Sequence, residues 1–160
     1  MNQRIATACA ALTLLAITSC SGSPWGSEAP TPPAAHARAL SDGVAELTAT
    51  EAQLAAAAAN EPRRTATRPD GSNYFTSLAA VGRRGRVQAE RLSHSTGERM
   101  KDSHLPNLPG LIATLNQLAH HYAALDGACQ RADIVATREV RQAIVTAMVT
   151  LHSLTPHLGA

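Results

Sequence analysis

Residues 108–127 read LPGLIATLNQLAHHYAALDG, and the spacing of their apolar side chains decides the fold class. These side chains recur at intervals of four and three residues, at Leu111, Leu115, Leu118, Tyr122 and Leu125. That period places them on one face of an α-helix. Proline is tolerated in the first turn of a helix, and the pair Asp126-Gly127 favours an end. The stretch therefore predicts an amphipathic helix that buries one face.

The same spacing recurs on both sides of this stretch. In residues 36–60 it gives a narrow stripe that is apolar apart from Glu51, formed by Leu40, Val44, Leu47, Leu54 and Ala58. Later in the chain, a second stripe is formed by Val140, Ile144, Ala147, Leu151, Leu154 and Leu158. These patterns predict one helix over residues 36–60 and another that begins near Cys129 or Asp133 and ends at Leu154.

A further helix is predicted to begin at Ser72 or Asn73, either of which can cap a first turn, and to end near Lys101. Its middle contains Gly82 and Gly85, and each glycine costs a helix about 1 kcal/mol relative to alanine. Two explanations stay open at this point. Either the helix kinks at the glycines, or they allow another helix to approach closely.

Four amphipathic helices joined by short breaks predict an all-α fold, a small up-down helical bundle of about four helices. Aromatic residues, which favour strands, make up only 2% of the chain, and no segment alternates with a period of two. The first predicted helix is unusually rich in alanine. A three-helix core with that helix loosely attached is therefore the alternative architecture.

The N-terminal residues differ in character from the rest of the chain. Residues 1–4 carry one basic side chain, and residues 5–18 are almost entirely apolar or small. A run of about fourteen apolar residues is shorter than the roughly twenty that span a bilayer, and it fits the core of a signal peptide. The run closes with Ile17-Thr18-Ser19-Cys20. This ending resembles the lipobox of bacterial lipoprotein precursors.

The resemblance implies that the Cys20 thiol takes a diacylglyceryl group as a thioether, and that a dedicated peptidase cuts between Ser19 and Cys20. The chemistry needs a thiol because its thiolate is a strong nucleophile toward the lipid donor. The protein would then be exported and lipid-anchored to the outer face of the bacterial cell membrane. An ordinary secretory signal cleaved elsewhere and an uncleaved anchor are the competing interpretations. The resemblance covers residues 1–20 alone.

The chain is thus expected to have three parts. Residues 1–19 are predicted to be the lipoprotein signal peptide, residues 20–35 the lipidated N-terminus with a flexible tether, and residues 36–160 the helical bundle domain. The tether is predicted because residues 21–35 contain glycine, serine and four prolines, a composition that favours neither a helix nor a strand.

One hypothetical metal site lies on the second predicted helix. Glu90, His94 and Glu98 are four residues apart, so their carboxylates and imidazole share one helical face. Neighbouring segments would add His104, His120 and His121 as ligands. The His120-His121-Tyr122 corner also permits haem ligation. The alternative interpretation is a solvent-exposed face with ordinary i,i+4 charge pairs, and no cofactor is expected.

Residues 63–101 carry nine basic side chains against three acidic ones. On a membrane-anchored domain, such a patch would contact anionic lipid or an acidic cell-wall polymer, with about 1 kcal/mol contributed by each basic residue at the surface. The residues proposed for this contact are Arg83, Arg84, Arg86 and Arg91. An ordinary solvated face is the competing interpretation. The formal net charge of +2 is too small to indicate a nucleic-acid partner.

The sequence contains no G-x-S-x-G, H-E-x-x-H or phosphate-binding loop, so we expect that the protein is not an enzyme. Cys129 is interpreted as a small buried hydrophobic residue. The sequence therefore predicts a non-enzymatic, membrane-anchored lipoprotein whose helical module binds a protein or another cell-envelope partner. A His-dependent metal or haem carrier is one alternative, and an immunity or exclusion factor is another.

Overall fold

The computed structural model of the chain describes residues 32–100 and 107–155, with side chains from residue 35 onward. It contains four helices: α1 Pro32–Ala58, α2 Tyr74–Met100, α3 Leu108–Gln130 and α4 Ile134–Leu154. A short 3₁₀ turn, Glu61–Arg63, follows α1. No β-strand occurs in the described ranges. The predicted all-α fold, a small bundle of four helices, is confirmed.

Each helix packs against the next helix in the chain, as expected for an up-down order. The contact between α2 and α3 is the most extensive, while α1 meets α4 over a much shorter contact. The first helix nevertheless belongs to the core, because Leu40, Leu47 and Leu54 are at most 3% exposed. The alternative of a three-helix core with a loosely attached first helix is therefore wrong.

The first helix begins earlier than the sequence predicts. It starts at Pro32, inside the residues 20–35 that were expected to form the tether. Proline lacks a backbone N–H, but the N–H groups of a first helical turn have no partner within the helix in any case. Pro32 and Pro33 are therefore compatible with the first turn, and the alanines that follow are strong helix formers.

Side-chain caps fix the starts of α2 and α4. Asn73 Oδ1 accepts a hydrogen bond from the Thr76 N–H at 3.0 Å, and Thr76 Oγ1 accepts one from the Asn73 N–H at 2.8 Å. Asp133 Oδ1 accepts hydrogen bonds from the N–H groups of Val135 and Ala136 at 3.1 and 3.0 Å. These bonds satisfy N–H groups that the helix leaves free. The predictions of Asn73 and Asp133 as helix starts are confirmed.

The third helix continues three residues beyond the predicted stop at Asp126-Gly127 and ends at Gln130. Ala128 and Cys129 are buried, at 1% and 5% exposure. Packing of these side chains outweighs the cost of a glycine within the helix, which is about 1 kcal/mol. The chain leaves the helical path at Ala132, whose φ of 52° lies in the left-handed region that commonly follows a helix end.

Gly82 and Gly85 allow α3 to approach α2, and α2 is unbroken between its two ends. A Cβ built on Gly85 would lie 2.6 Å from both Cε1 and Cζ of Tyr122. A Cβ on Gly82 would lie 3.3 Å from the Tyr122 carbonyl oxygen. Real Cβ atoms essentially never lie as close as the first distance, so a side chain at position 85 would force the Tyr122 ring to shift. Of the two explanations for the glycines, close helix approach is confirmed.

The energetic balance of this contact favours the glycines. Two glycines cost α2 about 2 kcal/mol in helix propensity relative to alanine. A buried aromatic side chain removes roughly 150–250 Å² from water, worth about 4–6 kcal/mol at 25 cal/mol per Å². Tyr122 is fully buried. The burial of its ring therefore offsets the helix-propensity cost of Gly82 and Gly85.

The Tyr122 side chain stabilises the fold through its ring. Burial, with a smaller effect from the negative charge of Glu51, raises the pKa of Tyr122 to about 12. Its hydroxyl has no hydrogen-bond partner among the described residues. A buried hydroxyl without a partner costs about 1–3 kcal/mol. The contribution of Tyr122 thus comes from the packing of the ring against Gly85 and its neighbours.

Glu61, just after α1, connects this end of the first helix to α4. Its carboxylate accepts hydrogen bonds from Nε and Nη2 of Arg138, the former at 2.8 Å, and lies 3.9 Å from Nη1 of Arg141. The Tyr74 hydroxyl donates to the same carboxylate at 3.4 Å. The hydrogen bonds from Arg138 lower the pKa of Glu61, and desolvation opposes them. These polar contacts join α1 to α4 where apolar packing between them is short.

Replacing Gly85 by alanine is expected to lower the free energy of unfolding by up to about 2 kcal/mol. Overpacking against the Tyr122 ring costs about 1–3 kcal/mol, and the gain in helix propensity offsets about 1 kcal/mol of that cost. Urea denaturation followed by circular dichroism measures the difference.

The matched control is Gly97→Ala in the same helix. There a Cβ would meet nothing closer than Ile112 Cδ1 at 3.8 Å, an ordinary contact. This substitution is expected to stabilise the protein by about 0.5–1 kcal/mol. Equal effects of the two substitutions would contradict the close contact at Gly85.

Glu61→Gln is expected to destabilise the bundle at neutral pH and to lose that effect in acid. The folded state lowers the pKa of Glu61 below its ordinary value of 4.5. The carboxylate therefore stabilises the fold above that value, and its contribution disappears as the pH falls through the lowered pKa. Urea denaturation at about pH 7 and about pH 3 compares the variant with the wild type.

Glu139→Gln, an exposed position on α4, is the control for removing a carboxylate and should change little at either pH. A deficit of Glu61→Gln that is the same at both pH values would show that its charge is not what joins α1 to α4.

Candidate functional site

A groove of about 390 Å³ runs between α1 and α2. We call it the α1–α2 groove and define it by the residues that line it, which are Ala39, Asp42, Gly43, Glu46, Gln88, Arg91, Leu92 and Ser95. Its volume lies in the range of small-molecule sites, about 300–1,000 Å³. The groove combines such a volume with charges of both signs.

The walls of the groove follow from helical spacing. Asp42 and Glu46 lie one turn apart on α1, while Gln88 and Arg91 lie three residues apart on α2, so each pair shares a helical face. Gly43 forms part of the floor. A Cβ there would lie 2.5 Å from Cδ1 of Leu92, so the missing side chain leaves room for the leucine.

One hydrogen bond fixes the position of Gln88 in the groove. Thr50, which is 2% exposed, donates its hydroxyl to Gln88 Oε1 at 2.6 Å. This bond uses the amide oxygen of Gln88. Its NH₂ group has no partner within the described residues and is left to donate to a ligand.

The charged groups of the groove have no ion-pair partner within the described part of the chain. The ion pairs there are Arg83–Asp126, Arg86–Glu90 and the contacts of Glu61 with Arg138 and Arg141. Asp42, Glu46 and Arg91 take part in none of them. The groove therefore presents two carboxylates on one wall and a guanidinium on the other, each available to a ligand.

The four arginines predicted to contact an anionic surface differ in their surroundings. Arg83 donates to Asp126 at 2.8 Å and Arg86 to Glu90 at 2.8 Å. Arg84 donates to the side-chain oxygen of Gln53 on α1 at 2.7 Å. Arg91 alone of the four lines the groove. Contact of these residues with an anionic surface stays a prediction, and the charges of Arg83 and Arg86 are partly balanced within the fold.

The described members of the hypothetical metal site are not brought together on one metal position. Within residues 32–100 and 107–155, no three His, Cys, Asp or Glu side chains are placed to share a metal ion. Glu90, His94 and Glu98 lie exposed on α2, and Glu90 accepts a hydrogen bond from Arg86. Their spacing alone does not make a site, since a metal needs ligands converging on one point.

His120 and His121 lie on α3 with their ring centroids 6.1 Å apart. His120 is exposed and His121 half-buried, while Tyr122 faces the core. Burial, followed by the neighbouring His120, lowers the pKa of His121. His104, the remaining proposed ligand, lies outside the described residues, as do Ser19 and Cys20.

Cys129 is 5% exposed, and burial raises the pKa of its thiol to about 11. A thiol with a raised pKa carries almost no thiolate at neutral pH, and the thiolate is the reactive form. Its interpretation as a small buried hydrophobic residue is confirmed.

Arg91 is among the basic residues that are predicted from the sequence to bind an anionic surface, whereas Asp42, Glu46 and Gln88 are not among the site residues predicted from it. A weak signal was present, since two acidic residues four apart flank a glycine in residues 42–46. The pairing of that segment with Gln88 and Arg91 depends on how α1 lies along α2. That relation cannot be obtained from either helix alone.

Comparison with protein-family models, with curated protein sequences and with solved structures finds no match to this chain. None of the helices in the described ranges is both long and apolar enough to cross a membrane.

Proposed function

We propose that this protein is a lipid-anchored, non-enzymatic binding module of the bacterial cell envelope. Cys20 carries the lipid, the residues after it form a connection to the bundle, and the bundle binds its partner on the outer face of the membrane. The proposal of a lipid anchor rests on the position of Cys20, which comes directly after the apolar residues 5–18 and the small side chain of Ser19.

The binding role is supported by the α1–α2 groove. Its charged groups lie on two helices that are held in the core, so the walls keep their spacing without a ligand. The Ser95 hydroxyl, which also lines the groove, donates to the Leu92 carbonyl at 3.1 Å. A serine that acts as a nucleophile needs a base that accepts its proton. Because the Ser95 hydroxyl donates to a backbone carbonyl, which is not a base, its surroundings favour a binding role for the groove over a catalytic one.

Burial of the lipid in the membrane supplies enough free energy for stable attachment of the protein. A buried acyl chain contributes about 0.8 kcal/mol per CH₂, and two chains hold a protein to a membrane where one binds only reversibly. A diacylglyceryl group on Cys20 supplies two chains. The bundle then needs no apolar surface of its own to stay at the membrane.

Cys20→Ser is expected to abolish lipidation and to leave the helical fold intact. Full-length protein is expressed in a bacterium, and the N-terminal peptide of the processed protein is analysed by mass spectrometry. For the wild type we expect a peptide that begins at Cys20 and carries the mass of a diacylglyceryl group. For the variant we expect no lipid mass and an unchanged helical circular dichroism spectrum.

The matched control is Cys9→Ser, which changes a thiol inside the apolar run and should leave processing at Cys20 unaltered. A wild-type peptide that begins at another residue, or that begins at Cys20 without lipid, would contradict the proposal.

A further inference from the structure

We propose that the α1–α2 groove binds a short peptide with free termini, through the peptide's ammonium group on the α1 wall and its carboxylate on the α2 wall. The inference rests on the binding role proposed above and names the ligand class of that site. It is argued from the unpaired charges, the size of the groove and the chemistry of its floor.

The two walls carry opposite charges that the described chain leaves unpaired. Asp42 and Glu46 stand on α1, and Arg91 stands on α2. An ammonium group has three donors and can pair with two carboxylates at once. A guanidinium matches a carboxylate through two parallel hydrogen bonds, which are stronger than bonds between neutral groups. A ligand with one ammonium and one carboxylate satisfies both walls.

This arrangement selects against ligands of a single charge. A simple anion such as phosphate would pair with Arg91 but face the carboxylates of Asp42 and Glu46. A simple cation would pair with those carboxylates but face the guanidinium of Arg91. Like charges placed together cost free energy, and they provide discrimination as much as attraction does. A zwitterion avoids both penalties.

The rest of the groove suits a short peptide with small side chains. Its volume of about 390 Å³ is at the small end of ligand sites. Gly43 and Leu92 give an apolar floor, with Ala39 beside them. The NH₂ group of Gln88, whose oxygen is held by Thr50, is placed to donate to a peptide carbonyl. Small aliphatic side chains can contact the floor while the ends of the peptide reach the walls.

Trialanine and its two blocked forms test the proposal. The full chain is purified in detergent and titrated with trialanine, with N-acetyl-trialanine and with trialanine amide, and binding is followed by backbone amide chemical shifts. We expect saturable binding of trialanine with a Kd of about 1 mM or tighter. Each blocked form should bind at least about tenfold more weakly, the loss expected for one charge-assisted hydrogen bond.

Variants identify which wall of the groove binds which end of the peptide. Arg91→Gln should remove the preference for a free carboxylate and keep the preference for a free ammonium group. The double variant Asp42→Asn, Glu46→Gln should remove the preference for a free ammonium group and keep the preference for a free carboxylate. Arg99→Gln and Glu139→Gln remove exposed charges outside the groove and should leave all three affinities unchanged. Circular dichroism confirms that each variant is folded.

Two results would overturn the proposal. One is the absence of saturable shifts with trialanine up to about 20 mM, roughly twenty times the expected Kd. The other is equal affinity for the free and blocked peptides. Either result leaves lipidation at Cys20 untouched, because that is measured separately by the mass of the N-terminal peptide.

Discussion

The structure depends on the missing side chain of Gly85, because the ring of Tyr122 fills the space that a Cβ would occupy. This allows α2 and α3 to make the largest helix contact of the bundle. The line of small residues extends to Gly82 and Ala89, which are both buried. With α2 and α3 fixed together, α1 packs on one of them and α4 on the other. Each of the outer helices, α1 and α4, therefore packs mainly against one member of this central pair.

A second glycine contact connects this constraint to the candidate site. Gly43 on α1 leaves room for Leu92 on α2, so the two helices come close beneath the α1–α2 groove. The groove lies above this contact, with its charged side chains on the two flanking helices. The Gly43–Leu92 contact packs the two helices closely below the groove. The unpaired charges of the groove are left to bind a ligand. The proposed binding role thus depends on the same kind of contact that organises the core.

The sequence predicted the helices well because their apolar stripes are strongly periodic. Leu111, Leu115 and Leu118 lie buried on α3 as the spacing indicated. From the sequence the glycines of α2 indicate either a kink or a close helix approach, and the close approach depends on the position of Tyr122 on another helix. Helix ends were less predictable, since burial of Ala128 and Cys129 carries α3 past a glycine. The α1–α2 groove could not be predicted, because it forms between two helices whose relative position does not follow from their sequence patterns.

The central claim is that Gly85 is required because of Tyr122, and a double-mutant cycle tests it directly. The stability cost of Gly85→Ala is measured by urea denaturation in the wild type and in a Tyr122→Leu background. The account predicts a coupling of about 1–3 kcal/mol, equal to the overpacking cost, so that Gly85→Ala becomes nearly neutral or stabilising once the ring is absent. Additive effects within about 0.5 kcal/mol would contradict it.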